Sequence, residues 1–188
     1  MSSAEAEAGV QIALQLGYRH IDTAQFYDNH EGVARAVELS GVDRGDIFIT
    51  DKVSPGILFG QKEATFDDVK ATFMTNMARL NTNYLDLYLL HHAYAKQERL
   101  NQYRALLDLQ KEGFLRSVGV STWNISHIEE IKQAGLPLPA VNQIEIHPLC
   151  TQSELVTYHV ANGIATVAYS SLAPLAAWRA KEGQVMVT

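Results

Sequence analysis

The sequence predicts one α/β domain of repeating strand–helix units whose parallel sheet rolls into a (β/α)8-type barrel, and three observations predict it. Short β-rich apolar runs at 18–22, 47–52, 85–91, 117–121, 140–145 and 165–170 alternate with longer helical patterns. Several of these runs, such as Leu85-Asp86-Leu87-Tyr88-Leu89-Leu90, are too apolar for a sheet with one wet face and suit a parallel sheet covered by helices. The polar residues that close the six runs, Asp22, Lys52, His91, Ser121, Gln143 and Tyr169, stand 30, 39, 30, 22 and 26 residues apart. That spacing is close to the ~30 residues of one βαβ unit. Six such units fit a barrel or an open doubly wound sheet. A residue able to bind or react at the C-terminal end of every strand favours the barrel, where catalytic groups gather at that face.

The helices carry their own start and stop signals. Residues 4–16 read as the first helix. Phe66, Val69, Phe73, Met77 and Leu80 fall at steps of three and four and make one apolar stripe, with Thr65 and Asp68 as an acidic capping box. Ser126 with Glu129 repeats that signal before Ile128 and Ile131. Gly135 is placed to end that helix, as Gly17, Gly41, Gly113 and Gly163 are for others. Nothing in composition divides the chain, so residues 1–188 are expected to form a single domain.

Composition narrows the function classes. Apolar residues make up 47% and charged residues 19%, ordinary for a globular protein and wrong for a disordered one. The net charge of −6 comes without a cluster of Lys or Arg on any expected face, which leaves nucleic acid no electrostatic footprint. No apolar run approaches the ~20 residues that cross a bilayer, and Met1-Ser2-Ser3-Ala4-Glu5 lacks the basic and apolar regions of a secretory signal. The single cysteine, Cys150, cannot form an internal disulfide, so a reducing, cytoplasmic setting is the expectation.

The most informative segment is Arg19-His20-Ile21-Asp22-Thr23-Ala24-Gln25-Phe26-Tyr27, continued by Asn29, Glu31, Gly32 and Val33. Then follow Ile47-Phe48-Ile49-Thr50-Asp51-Lys52, Tyr84 to His91, Val118-Gly119-Val120-Ser121, Asn142-Gln143-Ile144-Glu145 with His147-Pro148, and Ala168-Tyr169-Ser170. In this order, over roughly residues 10–175, they resemble the aldo-keto reductase family, nicotinamide-dependent carbonyl reductases on a TIM barrel. The resemblance implies a catalytic tetrad of Asp22, Tyr27, Lys52 and His91. It implies NADP(H) as cofactor and a small carbonyl compound as substrate. It further implies that Ser121, Thr122 and Gln143 meet the nicotinamide carboxamide, that Tyr169 stacks on its ring, and that Ser170, Ser171 and Leu172 follow the pyrophosphate.

The tetrad also makes chemical sense. Carbonyl reduction needs a hydride, which no side chain supplies, so a cofactor must. It also needs a proton for the developing alkoxide, and a tyrosine of ordinary pKa ~10 gives one up reluctantly at neutral pH. A lysine ammonium beside it favours the phenolate. Asp22 would hold Lys52 charged and in place, and His91 would orient the substrate carbonyl by a hydrogen bond. Taken singly, Asp22 could be a helix cap, Tyr27 a surface aromatic, Lys52 a solvated charge and His91 a core histidine. Their order at barrel spacing is what sets those readings aside.

The chain also departs from the family pattern. Where tryptophan often stands two residues after the lysine, this chain has Ser54. Where tryptophan and proline often follow the histidine, it has His92 and Ala93, while Trp123 takes a position where phenylalanine is common. These three, Ser54, His92 and Trp123, are the expected substrate wall, poorer in aromatics than usual. The other histidines show no short metal-ligand spacing. At 188 residues against about 250 for a complete barrel, the sequence is expected to hold units two to seven and to lack the first and eighth. Residues 173–188 show no counterpart of the basic segment that discriminates NADP from NAD. Open sheet edges would then invite self-association. Two other readings follow: a non-catalytic fragment of the barrel, or a Schiff-base lyase in which a desolvated Lys52 is the nucleophile.

Overall fold

The structure, a computed structural model, describes residues 1–56 and 62–172. The segment 173–188, where the sequence offers no cofactor-discriminating residues, lies outside them. Strands and helices alternate without interruption: α1 (Ser3–Gln15), β1 (His20–Asp22), α2 (His30–Ser40), β2 (Phe48–Val53), α3 (Phe66–Arg79), β3 (Leu85–Leu90), α4 (Arg99–Lys111), β4 (Leu115–Ser121), α5 (Ile125–Gln133), β5 (Val141–Glu145), α6 (Ser153–Ala161) and β6 (Ala165–Tyr169). Short 3-10 turns occupy Gln25–Tyr27 and Arg44–Asp46. The chain forms two compact units, Met1–Gly119 and Val120–Thr188, divided within β4 where the sequence shows no break.

In the first unit the strands follow one another in chain order, and β1, β2 and β3 are parallel. Asp22 lies opposite Thr50, and Lys52 opposite Leu89. All six residues of β3 are buried, as its apolar run requires. The one acidic residue in that run, Asp86, ties strand starts together. Its Oδ2 accepts from the Ile49 amide at 3.0 Å and from Arg44 at 3.0 Å, and its Oδ1 accepts from Arg116 at 2.9 Å. The two guanidinium groups lie over the Tyr84 ring, 4.2 and 4.3 Å from its centre. This clamp sits near the N-terminal ends of β2 and β3.

The helix signals are met with one correction. In α3 the Thr65 hydroxyl accepts from the Asp68 amide at 3.2 Å and the Asp68 carboxylate accepts from the Thr65 amide at 2.9 Å, while Val69, Phe73, Met77 and Leu80 are buried. Helix α5 does not start at Ser126. Asn124, in extended conformation, caps it by accepting from the His127 amide at 3.0 Å. Ser126 falls inside the first turn and donates to that same Asn124 oxygen. Asparagine and serine cap about equally well, and it is Asn124 that stands in the extended backbone a cap requires.

The second unit holds the end of β4, then β5 and β6, which are parallel from Val141 opposite Ala165 to Glu145 opposite Tyr169. Its buried polar chain runs from the Trp123 carbonyl to Asn142 Nδ2 (2.8 Å), on to His159 Nε2 (3.0 Å), and from His159 Nδ1 to Thr166 Oγ1 (2.8 Å). These contacts tie the loop after β4 to β5, α6 and β6.

Close packing of α1 on α2 depends on Gly32. A Cβ added there would stand 1.9 Å from the Ser3 carbonyl oxygen, with no flexible side chain to yield. Gly32→Ala is therefore expected to cost about 1–3 kcal/mol, the usual range for overpacking. Urea unfolding of the variant would measure this, and an unchanged midpoint would mean that the two helices do not approach so closely.

Candidate active site

The end of β2 carries the charge on which the site is built. Val53 is followed by an exit loop, and Lys52 reaches back toward β1 with its side chain only 1% exposed. Its ammonium donates to Asp22 Oδ1 and to the Thr23 carbonyl at 3.0 Å. Thr23 continues the β1–β2 ladder through its amide to the Thr50 carbonyl at 2.8 Å, so the acceptor is fixed by sheet register. The Lys52 Nζ lies 5.1 Å from the centre of the Tyr27 ring.

Tyr27 ends the 3-10 turn that follows β1, and it is 43% exposed. That turn is held on both sides. Gln25 Oε1 accepts from the Ser54 amide at 2.8 Å, tying it to the end of β2. The Thr23 hydroxyl donates to Asn29 Oδ1 at 2.7 Å at the start of α2. The next residue, Asp28, takes the left-handed conformation that closes the turn. His91, whose amide extends the β2–β3 ladder to the Val53 carbonyl at 2.9 Å, presents its ring to Tyr27 edge-on, 5.8 Å between centres. All four residues expected as the tetrad thus lie in the first unit and meet at the strand ends.

Burial sets the electrostatics. The His91 imidazole is pushed down to about 3, first by burial, then by the neighbouring His92 and the Lys52 charge, so at neutral pH it is uncharged. Lys52 is also held below its usual value: burial outweighs the opposing pull of Asp22 and Asp51. The sequence led to the expectation that Asp22 holds Lys52 charged and in place; Asp22 acts in that direction, and the strand interior opposes it.

Of the expected substrate residues, Ser54 lies buried beside Lys52 and its hydroxyl accepts from the Gly56 amide at 3.1 Å. His92 stacks on His91 (4.6 Å between centres, 8° between planes), and Tyr94 stacks on His92 at 4.8 Å. These rings form a ladder leading outward from the tetrad to the exposed Tyr94. Trp123, in the second unit, is 1% exposed and is packed edge-on to His127. The residues missed by sequence reasoning are Thr23, Gln25 and Asn29, which hold the turn in place. All three stand within the segment singled out, but hydrogen-bonded scaffolding has no residue pattern of its own.

The residues expected to meet a nicotinamide lie in the second unit. The Ser121 hydroxyl donates to the Gln143 carbonyl at 2.9 Å, and the same oxygen accepts from the Thr122 amide at 2.9 Å. The Gln143 side chain is nearly buried, near the end of β5. Thr122 and Ser170, directly after β4 and β6, both adopt positive φ (59° and 53°). That conformation is costly for a β-branched residue and gathers at functional sites. Tyr169 is half-buried, whereas Ser171 and Leu172 are exposed.

Comparison with known proteins decides the family. The aldo/keto reductase family model matches residues 1–185. The chain belongs to the aldo/keto reductase family. It is 40% identical to glyoxal reductase of Bacillus subtilis over 168 residues, covering 89% of this chain and 58% of that protein. It is 37% identical to methylglyoxal reductase DkgA of Yersinia pestis over 171 residues, covering 90% and 58%. Among solved structures, an aldo/keto reductase from Brucella melitensis superposes with a TM-score of 0.85 at 39% identity, covering 92% of this chain and 65% of that one. The Bombyx mori aldo-keto reductase in complex with NADP superposes at 0.82 with 31% identity, covering 90% and 57%. The chain thus spans about 60% of the length of the curated relatives it matches. Its alternating parallel strands and helices are those of an aldo-keto reductase (β/α)8 barrel, six units of the eight being described.

The neutral His91 has a consequence for stability. Its folded-state pKa lies below the unfolded value of 6.5, so between the two the unfolded chain binds the extra proton. Stability is therefore full above about pH 6.5 and is lost as pH falls toward 3. Unfolding free energies measured at pH 7 and pH 4.5 should fall less in His91→Asn than in the unaltered chain. Equal losses would show that His91 is not held neutral.

Proposed function

We propose that this chain reduces small aldehydes and ketones to alcohols with NADPH, Tyr27 acting as general acid. The observation that carries this reading is the Lys52 ammonium, withdrawn from water, bonded to Asp22 and Thr23, and placed 5.1 Å from the Tyr27 ring centre. A cation so fixed lowers the cost of taking the phenolic proton from Tyr27. Tyr27 is 43% exposed, which lets a carbonyl oxygen approach it. His91, uncharged, offers that oxygen a hydrogen bond without competing with Tyr27 as proton donor.

The residues of the second unit fit a nicotinamide. A carboxamide needs both a donor and an acceptor, and the Gln143 side chain supplies both, held by its neighbours' bonds to its own backbone. Tyr169 offers a flat, half-buried ring for stacking. Bound NADPH supplies the hydride. Structures of relatives with NADP and NADPH support the choice of cofactor.

Ser54 and His92, polar where the family often has tryptophan, favour short polar carbonyl compounds over flat apolar ones. The glyoxal and methylglyoxal reductases among the relatives support the same substrate class. A Schiff-base role for Lys52 fits less well. Burial does lower its pKa, but the amine is already engaged by Asp22 and Thr23. An attacking lone pair would have to leave both.

The reading is tested by Tyr27→Phe, assayed for NADPH consumption with methylglyoxal. Loss of at least about 100-fold in kcat, with NADPH affinity unchanged, is the expected result. A variant that keeps most of its turnover would remove Tyr27 from the role of acid. Borohydride reduction with the same carbonyl should leave Lys52 unmodified.

A further inference from the structure

The 3-10 turn that carries Tyr27 closes on a residue in a costly conformation. Asp28 follows Tyr27 directly and stands at φ 48° and ψ 43°, in the left-handed region that favours glycine. Its own amide does little to keep it there. That amide reaches the Gln25 carbonyl only at 3.4 Å, longer than the usual range of about 2.7–3.2 Å. The Tyr27 amide, by contrast, donates to the Ala24 carbonyl at 2.9 Å. A residue other than glycine keeps such a backbone where its surroundings hold it.

The Asp28 side chain provides the hold. Its Oδ1 accepts from Nη2 of Arg79, the last residue of α3, at 2.6 Å. The same guanidinium grips Glu31, in the first turn of α2, by two bonds: Nε to Oε1 at 2.6 Å and Nη2 to Oε2 at 2.9 Å. Nη2 has two N–H bonds, so it serves one carboxylate with each. This planar, paired grip belongs to a guanidinium; an ammonium cannot reproduce it. The Glu31 carboxyl is held down to about 2, first by its Arg79 bonds, so the fork stays charged on both sides at neutral pH. One cation thereby joins the end of α3, the start of α2 and the residue next to Tyr27, all within the first unit.

The fork to Glu31 can serve to pin α2 to α3. The bond to Asp28 adds little of that kind: its carboxylate is 83% exposed, and ion pairs so open to water contribute little to folding. Its effect is local. A change of backbone angles at Asp28 re-aims the turn, and with it a ring that now stands 5.1 Å from Lys52 Nζ and edge-on to His91 at 5.8 Å.

We infer that Arg79 is a positioning residue for the reduction: through Asp28 it fixes the turn that aims Tyr27 at Lys52 and His91. This rests on the reading of Tyr27 as the acid. Glu31 sets the plane of the guanidinium, and Asp28 takes the N–H that this plane leaves over.

The test has two readouts on the 188-residue chain: the NMR contact between the Tyr27 and His91 rings, and kcat and KM with NADPH and methylglyoxal. Arg79→Gln should weaken the ring contact and lower kcat about 10-fold, with KM for NADPH unchanged. In an Asp28→Gly background, where the left-handed backbone carries no strain and the carboxylate is gone, Arg79→Gln should cost little further. An intact ring contact in a folded Arg79→Gln chain overturns the proposal, as does an equal loss of kcat with and without Asp28→Gly. If Arg79→Gln does not fold, Arg79→Lys takes its place, keeping the charge and losing the fork. A weakened ring contact in that variant supports the proposal, and an unchanged one overturns it. The ring contact needs no turnover. Its loss in Arg79→Gln, when the unaltered chain reduces nothing, would keep the geometry argued here and sink the reductase reading. An active chain whose ring contact and kcat survive Arg79→Gln would do the reverse.

Discussion

A lysine ammonium in the interior of a parallel sheet is an expensive object, and the first unit is arranged around keeping Lys52 there. Its contacts come from three sources fixed by different parts of the chain: the Asp22 side chain at the end of β1, the Thr23 carbonyl set by the β1–β2 register, and the Tyr27 ring carried by a 3-10 turn. Removing any one of them leaves a buried charge partly uncompensated. The bonds that make Lys52 tolerable in the sheet also hold it beside the Tyr27 phenol.

The rest of the first unit limits the freedom of those contacts. The Arg44–Tyr84–Arg116 stack around Asp86 fixes β2 and β3 at their starts. Gln25 and Asn29 hold the turn of Tyr27 from the β2 side and the α2 side. Gly32 lets the start of α1 approach α2 closely. In the second unit a different device does comparable work: a chain of uncharged hydrogen bonds through Asn142 and His159 ties the loop after β4 to β5 and β6.

Much of this was legible in the sequence, and the reasons differ from element to element. Six strands could be read because buried parallel strands are nearly all apolar, and β3 is the extreme case. Asp22, Tyr27, Lys52 and His91 could be singled out together because the ordered motifs around them resemble those of one family, and the structure places the four side by side. The cap of α5 was misread because Ser126 and Asn124 are both good caps, and only backbone conformation chooses between them. The burial that opposes Asp22 at Lys52 could not be read, because burial is a property of the packed sheet, not of residue spacing. The Asp28–Glu31–Arg79 network was invisible for a similar reason. Arg79 stands 48 and 51 residues from Glu31 and Asp28 and meets them only when α3 packs beside α2.

The central claim is that this chain moves a hydride from a nicotinamide to a carbonyl carbon, with the proton coming from the Lys52-assisted tyrosine. Incubation of the 188-residue chain with NADPH deuterated at C4 and with methylglyoxal, followed by mass spectrometry of the product, measures that transfer directly. The account expects oxidation of the cofactor and deuterium on the carbinol carbon of the alcohol. A folded chain that yields no alcohol, or an alcohol free of deuterium, would contradict it.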